Sequence, residues 1–188
     1  MRIRQTSRKG RDMLNTDYRI EKMKELLNED CILERYYPLI PYKNTLVDNL
    51  SKMGCLRKTD CMDLSDEVLL EAGLPDGDMV NLFRAFLRMY DIKPAKLKEI
   101  ATVCTTPEEA KAFRELYHLP GVKSTRATLY YKAGYGTLKD IASSTPEEII
   151  SRTDSIIKKE NLSLKTPLMK EVRTHIAVAK AFSDNAAM

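Results

Sequence analysis

Apolar residues recur along most of this chain at three- and four-residue spacing, which places side chains on one face of an α-helix. Segments of alternating β-branched residues, which are typical of strands, are nearly absent. The clearest stripes are Ile20, Met23, Leu27 and Cys31; then Leu82, Phe83, Phe86, Leu87 and Tyr90; then Val172, Ile176, Ala179 and Phe182. The pattern predicts an all-α protein in which these stripes form the core.

Two segments carry the signals of a helix start. In Thr106–Glu109 and in Thr145–Glu148 a threonine can cap, proline suits the first helical position, and a glutamate at the third position can close a capping box. The first helix should run to about Tyr117, because Leu119-Pro120-Gly121 disfavours continuation and allows a tight turn with positive φ at glycine. A second helix should then run from near Ser124 to Ala133-Gly134.

A shift of 80 residues aligns positions 36–69 with positions 116–149 without a gap. The identical pairs are Tyr37 and Tyr117, Leu39 and Leu119, Lys43 and Lys123, Thr45 and Thr125, Lys52 and Lys132, Gly54 and Gly134, Asp60 and Asp140, and Glu67 and Glu147. Self-similarity of this kind indicates an internal repeat. We therefore expect a basic arm (1–14), a first helical module (15–92), a connecting segment (93–105) and a second helical module (106–183).

Charge is distributed unevenly along the 188 residues, although the net charge is only +4. Residues 1–11 carry five basic residues and no acid, residues 12–118 carry fifteen basic and twenty acidic residues, and residues 119–188 carry eleven basic and seven acidic residues. An anionic partner would be attracted to the two ends and repelled by the middle. A frayed basic tail and a solvated lysine-rich surface would give the same distribution.

Enzymatic, metal-binding and membrane functions find no support in the sequence. It lacks a glycine-rich phosphate loop, a nucleophile elbow and an H-E-x-x-H pair, and we expect no catalysis, metal or cofactor. Four cysteines without a C-x-x-C pair, namely Cys31, Cys55, Cys61 and Cys104, are expected to be free thiols. The acidic residues Asp60, Asp63, Asp66 and Glu67 could hold Mg²⁺, but Ser65 more simply caps a helix whose first turn contains Asp66 and Glu67. No apolar run approaches the roughly 20 residues of a membrane span, so we expect a cytoplasmic protein.

The segment Leu119–Ala127 resembles the hairpin of helix-hairpin-helix proteins, except that Lys123 replaces the second glycine of that motif. In the motif, backbone N–H groups at a helix N-terminus hold a phosphate oxygen, which positions a nucleic-acid backbone without reading sequence. The residues implied in this role are Pro120, Gly121, Val122, Lys123, Ser124, Thr125 and Arg126. Alternatively, Pro120-Gly121 is only the turn between two packed helices. The first-repeat turn, residues 39–43, has no glycine and should be mainly structural.

From about Leu50 to Phe182 the chain is similar to a family of tandem helix-hairpin-helix (SAM-like) domains of unknown function in microbial proteins. The similarity is most specific between Leu119 and Ile149. It implies two related helical modules and a non-enzymatic accessory protein that binds nucleic acid, with DNA favoured over RNA. The alternative is a protein-interaction or self-association scaffold without nucleic-acid affinity. Its motivation is a group of tyrosines near the two turns: Tyr36, Tyr37, Tyr42, Tyr130 and Tyr131.

Overall fold

The structure, a computed structural model, describes residues 17–183. The basic arm predicted at 1–14 lies outside these residues. The helices in chain order are α1 (Lys22–Leu26), a 3₁₀ helix (Glu34–Tyr42), α2 (Lys43–Lys52), α3 (Lys58–Cys61), α4 (Asp66–Glu71), α5 (Gly77–Leu87), α6 (Pro94–Val103), α7 (Pro107–Leu116), α8 (Ser124–Lys132), α9 (Leu138–Ala142), α10 (Pro146–Lys159) and α11 (Met169–Ser183). The described part contains one isolated bridge, between Arg19 and Arg57, and no strand. The all-α prediction is confirmed.

Both predicted helix starts are present, with one difference in detail. The hydroxyls of Thr106 and Thr145 accept backbone N–H groups at the third helical positions, over 3.1 and 3.2 Å, and each helix begins at a proline. The predicted capping boxes do not close. The carboxylate of Glu109 takes the N–H of Thr105 instead, and that of Glu148 pairs with a side chain one turn later.

The apolar stripe from Ile20 to Cys31 predicts one helix, but the helix found there is much shorter than the stripe. Helix α1 ends at Leu26, and Leu27 and Cys31 reach the core from the turns that follow. The cause is local, because the side-chain oxygen of Asn28 accepts the N–H of Asp30 at 2.8 Å. Such side-chain bonds to the backbone compete with helix continuation. The burial of the stripe was predicted correctly, but its continuity as one helix was wrong.

Helix α11 joins the second half of the described residues to the first half. It packs against α9 and α10, and it also contacts α1. The ring of Phe182 lies 5.7 Å from that of Tyr18 and 5.1 Å from that of Tyr90, measured between centroids. The buried residues of both halves therefore form one continuous core, in which the predicted stripe Val172 to Phe182 takes part.

The segment predicted as a connection, residues 93–105, is largely helix α6. Ile100 is buried, and the helix packs against α7 and α8. Pro94 begins it, in agreement with the preference of proline for the first helical position. The segment is therefore part of the packed second half, whereas the exact module boundaries remain predictions.

The two aligned segments, residues 36–69 and 116–149, have matching local geometry just after α2 and just after α8. Gly54 and Gly134 both adopt φ of +91°. The carboxylate of Asp60 accepts the N–H groups of residues 56 and 57, and that of Asp140 accepts those of residues 136 and 137, all within 2.8–3.0 Å. One matching turn and one matching cap at an 80-residue offset are consistent with the predicted repeat.

None of the described helices combines the length and the apolar character needed to cross a lipid bilayer.

Candidate nucleic-acid interface

Residues 117–123, here called the Pro-Gly turn, join α7 to α8. Gly121 adopts φ of +76°, a left-handed conformation that disfavours residues with a Cβ. A Cβ built on Gly121 would meet no atom within 4 Å, and the residue is exposed. The predicted tight turn with positive φ is confirmed, and its tip is open to solvent.

Buried side chains and two hydrogen-bonded carbonyls fix the turn from below. Leu119 and Val122 are fully buried. The carbonyl of Pro120 accepts the Nε2 hydrogen of His175 at 3.0 Å, and that of Val122 accepts a hydrogen from Nζ of Lys96 at 3.2 Å. The backbone is thus held in one conformation by α6 and α11, which is a condition for a preorganised binding surface.

The start of α8 leaves backbone donors without acceptors. Lys123 precedes the helix, its side chain cannot accept a hydrogen bond, and the first turn contains no acid. Within residues 17–183, no acceptor is found for the N–H groups of Ser124, Thr125 and Arg126. By contrast, a serine, threonine or aspartate side chain caps the helices α4, α5, α7, α9 and α10. Free donors at the positive end of the helix dipole favour an anion.

A pocket of about 290 Å³ lies beside this helix start. Gly121, Lys123 and Thr125 line one side, and Leu164 and Lys165, from the segment between α10 and α11, line another. Arg126 and Glu171 complete the wall. Three cations against one carboxylate give the lining a net charge of +2, which suits an anionic group.

Arg126 is already partnered. Its guanidinium binds the carboxylate of Glu171 through two hydrogen bonds, at 2.8 and 3.1 Å, and donates a third to the carbonyl of Lys165 at 3.2 Å. A bidentate, part-buried pair of this kind is strong and geometrically specific. The structure therefore assigns Arg126 to joining α8 and α11, and leaves Lys123 as the exposed cation of the predicted set.

The remaining predicted residues divide by exposure. Thr125 is exposed and Ser124 half-buried, whereas the side chain of Val122 is buried. The N–H of Val122 is bonded to the carbonyl of Leu119 at 3.2 Å, and Pro120 has no N–H. Pro120 and Val122 shape the turn, and any direct contact with an anion falls to Gly121, Lys123, Ser124 and Thr125.

Three lysines beside the turn were not among the predicted site residues. Lys165 lines the pocket, and Lys96 and Lys93 lie on and just before the start of α6. Burial lowers the pKa of Lys96, the Glu99 carboxylate opposes the shift, and the nearby charges of Lys93 and Lys123 lower it further. The sequence signal was the start of α6, which, like that of α8, follows a lysine and has no acid in its first turn.

His175 connects the turn to a buried tyrosine. Because the Pro120 carbonyl can only accept, Nε2 of His175 carries the hydrogen, and Nδ1 of the neutral ring accepts the hydroxyl hydrogen of Tyr130 at 2.7 Å. Burial lowers the pKa of His175, while Glu171 raises it and Arg126 lowers it. The neutral ring is thus the folded form. His118 has a similar structural role, since its Nδ1 lies 2.8 Å from the Tyr90 carbonyl and burial lowers its pKa.

The five tyrosines behind the scaffold alternative do not form an exposed aromatic surface. Tyr36 and Tyr130 are buried, and Tyr37, Tyr42 and Tyr131 are half-buried against the core. Their rings serve mainly in packing. The hydroxyl of Tyr36, for example, donates to a carbonyl of α5 at 3.5 Å.

The acidic residues near α3 and α4 have structural partners. Asp60 caps α3, the hydroxyl of Ser65 accepts the N–H of Val68, and Asp66 pairs with Arg84 at 2.6 Å. No group of three or more potential metal ligands occurs within the described range. The four cysteines are free, three of them buried and Cys104 half-buried, as predicted.

Comparison with known proteins adds a family match for the second half of the chain. No curated protein and no solved structure matches the sequence. The model of a family described as a domain of unknown function (DUF4332) matches residues 93–182. The match begins before the second module predicted at 106 and includes α6. Residues 93–182, which contain the Pro-Gly turn, the start of α8 and the pocket beside it, are therefore similar to this family.

Proposed function

We propose that this protein binds the phosphate backbone of DNA at the start of α8, without reading sequence and without catalysis. The observation that carries the proposal is the exposed, uncapped N-terminus of α8, which opens beside a pocket with a net positive lining. The N–H groups of Ser124 and Thr125 would donate to a phosphate oxygen. Lys123 would supply charge, and Gly121 would allow the backbone of the ligand to approach closely.

The lysines around the turn support this assignment. Lys93, Lys96 and Lys123 are close enough for the first and the last to act on the pKa of Lys96. Like charges gathered at one surface repel each other, and a bound anion relieves this repulsion. Lys165 adds a cation from the opposite side of the pocket. The basic arm at 1–14 would add nonspecific attraction.

The repeat belongs to the same proposal. We infer that the halves are related helical modules of the helix-hairpin-helix kind, on the matching turns at Gly54 and Gly134 and the matching caps at Asp60 and Asp140. Of the two aligned turns, residues 39–43 and 119–123, the second has an open glycine at its tip and is followed by an uncapped helix, so phosphate binding is proposed for the second module alone.

Fluorescence anisotropy with labelled duplex and single-stranded DNA, over a range of salt concentrations, tests the function. Each phosphate contact contributes about −0.9 to the slope of log K against log salt for duplex DNA, and about −0.7 for single strands. Lys123→Gln should reduce the magnitude of this slope by the contribution of about one phosphate contact. Lys43→Gln is the matched control, because Lys43 is the aligned residue of the first repeat and should leave the slope unchanged.

Absence of binding at low salt would reject the function. Equal effects of Lys123→Gln and Lys43→Gln would show that general charge, and not the start of α8, attracts DNA. A stable oligomer without DNA affinity would instead favour the scaffold alternative.

A further inference from the structure

A second basic groove lies at the opposite end of α8. It has a volume of about 250 Å³ and is formed where the end of α8 meets the middle and end of α10. Its polar lining consists of Lys132, Ser151, Arg152, Ser155 and Lys159, and we call it the α8–α10 groove. It shares no residue with the pocket beside the Pro-Gly turn.

The two sites lie along one face of α8. Thr125 and Leu129 line the first pocket and Lys132 lines the α8–α10 groove. Residues spaced by four and then three fall on the same side of a helix. From Ser124 to Lys132 the helix rises roughly 12 Å. A strand that carries a phosphate for about every 3.4 Å of axis, and that winds around this axis, presents more than one phosphate over this distance.

The cations of the groove remain available to a ligand. Lys132 pairs with Glu160 and Arg152 pairs with Glu148, and the side chains of these lysine and arginine residues are 39% and 54% exposed. Exposed pairs of this kind contribute little stability and can exchange partners. Within residues 17–183, Lys159 has no carboxylate within 4.0 Å, although it is exposed at the groove. The guanidinium of Arg152 lies 5.6 Å from the centroid of the Tyr135 ring, within the range of a cation–π contact.

We propose that the α8–α10 groove holds a further phosphate of the same DNA strand that binds at the start of α8, so that the strand runs along this helix. The inference rests on the proposed function and adds the path of the ligand. Lys159 and Lys132 contact the second phosphate, and the hydroxyls of Ser151 and Ser155 lie beside it. A strand that reaches both sites presents two of its phosphates to the protein, whereas a single phosphate group occupies only one of the two sites.

The test compares the wild-type chain with Lys159→Gln in the same anisotropy experiment. Lys159→Gln should reduce the salt slope by about 0.9 with duplex DNA, or about 0.7 with single strands, and the arm that shows the effect identifies the form of DNA. Lys158→Gln is the matched control, because Lys158 is the adjacent lysine but pairs with Asp154 at 2.6 Å and does not line the groove. The double variant Lys123→Gln with Lys159→Gln should lose two contacts.

A second measurement follows backbone amide shifts by NMR on the wild-type chain. A 12-base-pair duplex or a 12-nucleotide strand should shift Ser151, Ser155 and Lys159 together with Thr125. If the wild-type chain binds no DNA, the proposed function itself fails. If it binds, and Lys123→Gln weakens binding while Lys159→Gln behaves like Lys158→Gln and the α10 amides do not shift, only this inference is overturned.

Discussion

The two turns that the 80-residue shift aligns, residues 39–43 and 119–123, have different structures. In the first, the 3₁₀ helix runs directly into α2, and Tyr42 before the helix is itself helical, with φ of −91° and ψ of −10°. In the second, Lys123 is extended, with φ of −122° and ψ of 179°, so that α8 begins after an extended residue and is not continuous with a preceding helix. Only the second turn exposes a helix N-terminus, although both carry the aligned lysine and threonine.

One aligned position accounts for this difference. Pro41 occupies the place of Gly121, and the proline ring holds φ near −65°. A left-handed residue is therefore impossible at 41, and the chain continues in 3₁₀ conformation. Lys43 and Lys123 lie two residues after these positions and are identical, but the surfaces around them differ because the backbones differ. The backbone conformation at the turn, and not the basic residue, decides whether amide donors are exposed.

The largest expected effect concerns a buried ion pair that distinguishes the halves. The side chain of Lys58 is fully buried and its Nζ lies 2.5 Å from Asp91, whereas the aligned residue of the second half is Leu138. Burial lowers the pKa of Lys58, and the Asp91 carboxylate raises it. Asp91→Ala should lower the free energy of unfolding by about 3–5 kcal/mol in a urea titration, because it removes the main partner of a buried charge.

The control is Asp48→Ala, which breaks the exposed pair with Lys24. Pairs at the surface contribute at most about 1 kcal/mol. Similar losses in the two variants would contradict a special contribution of the buried pair.

The next effect concerns the hydrogen bond beneath the Pro-Gly turn. Tyr130 is aligned with Leu50, so that only the second half has a hydroxyl here. Tyr130→Phe leaves Nδ1 of His175 buried without its donor, and should cost about 1–3 kcal/mol in the same measurement. Tyr18→Phe is the control, because the buried Tyr18 hydroxyl has no hydrogen-bond partner among the described atoms and its removal should cost nothing.

The buried imidazole also predicts a pH dependence. The folded pKa of His175 lies below its ordinary value of 6.5, with burial as the main cause, so the unfolded chain binds the proton more readily. The contribution of the neutral His175 ring to the free energy of unfolding is fully present above pH 6.5. It is lost as the pH falls from 6.5 through the lower folded pKa. The pKa of His118 is shifted in the same direction. Urea titrations between pH 7.5 and 5.5 should show falling stability, and a flat profile would contradict the neutral ring.

A smaller loss is expected at the open turn itself. Gly121→Ala must hold φ near +76°, which costs a residue with a Cβ about 1–2 kcal/mol although the space is free. Gly77→Ala, at an equally open position without positive φ, should not destabilise the protein. If both variants kept wild-type stability, the left-handed conformation of Gly121 would be refuted.

Local signals in the sequence predicted much of this structure, and long-range contacts account for the differences. The caps at Thr106 and Thr145 and the turn at Gly121 depend on neighbouring residues, and all three were predicted. The pairing of Arg126 with Glu171 could not be predicted from the sequence, because it joins residues 45 positions apart in the chain. The approach of Lys96 to the Val122 carbonyl depends in the same way on how α6 packs against α8.

The smallest expected effect tests whether the first turn can be opened. Pro41→Gly permits a positive φ where the wild-type chain forbids it, but the 3₁₀ helix packs against α2 and α5 and should persist. The variant should lose only about 0.4–1 kcal/mol, through the greater freedom of its unfolded chain. Pro38→Gly, in the same 3₁₀ helix, should lose a similar amount. Neither variant should gain DNA affinity by anisotropy. A gain with Pro41→Gly alone would mean that a glycine at this position is enough to convert the first turn into a second phosphate site.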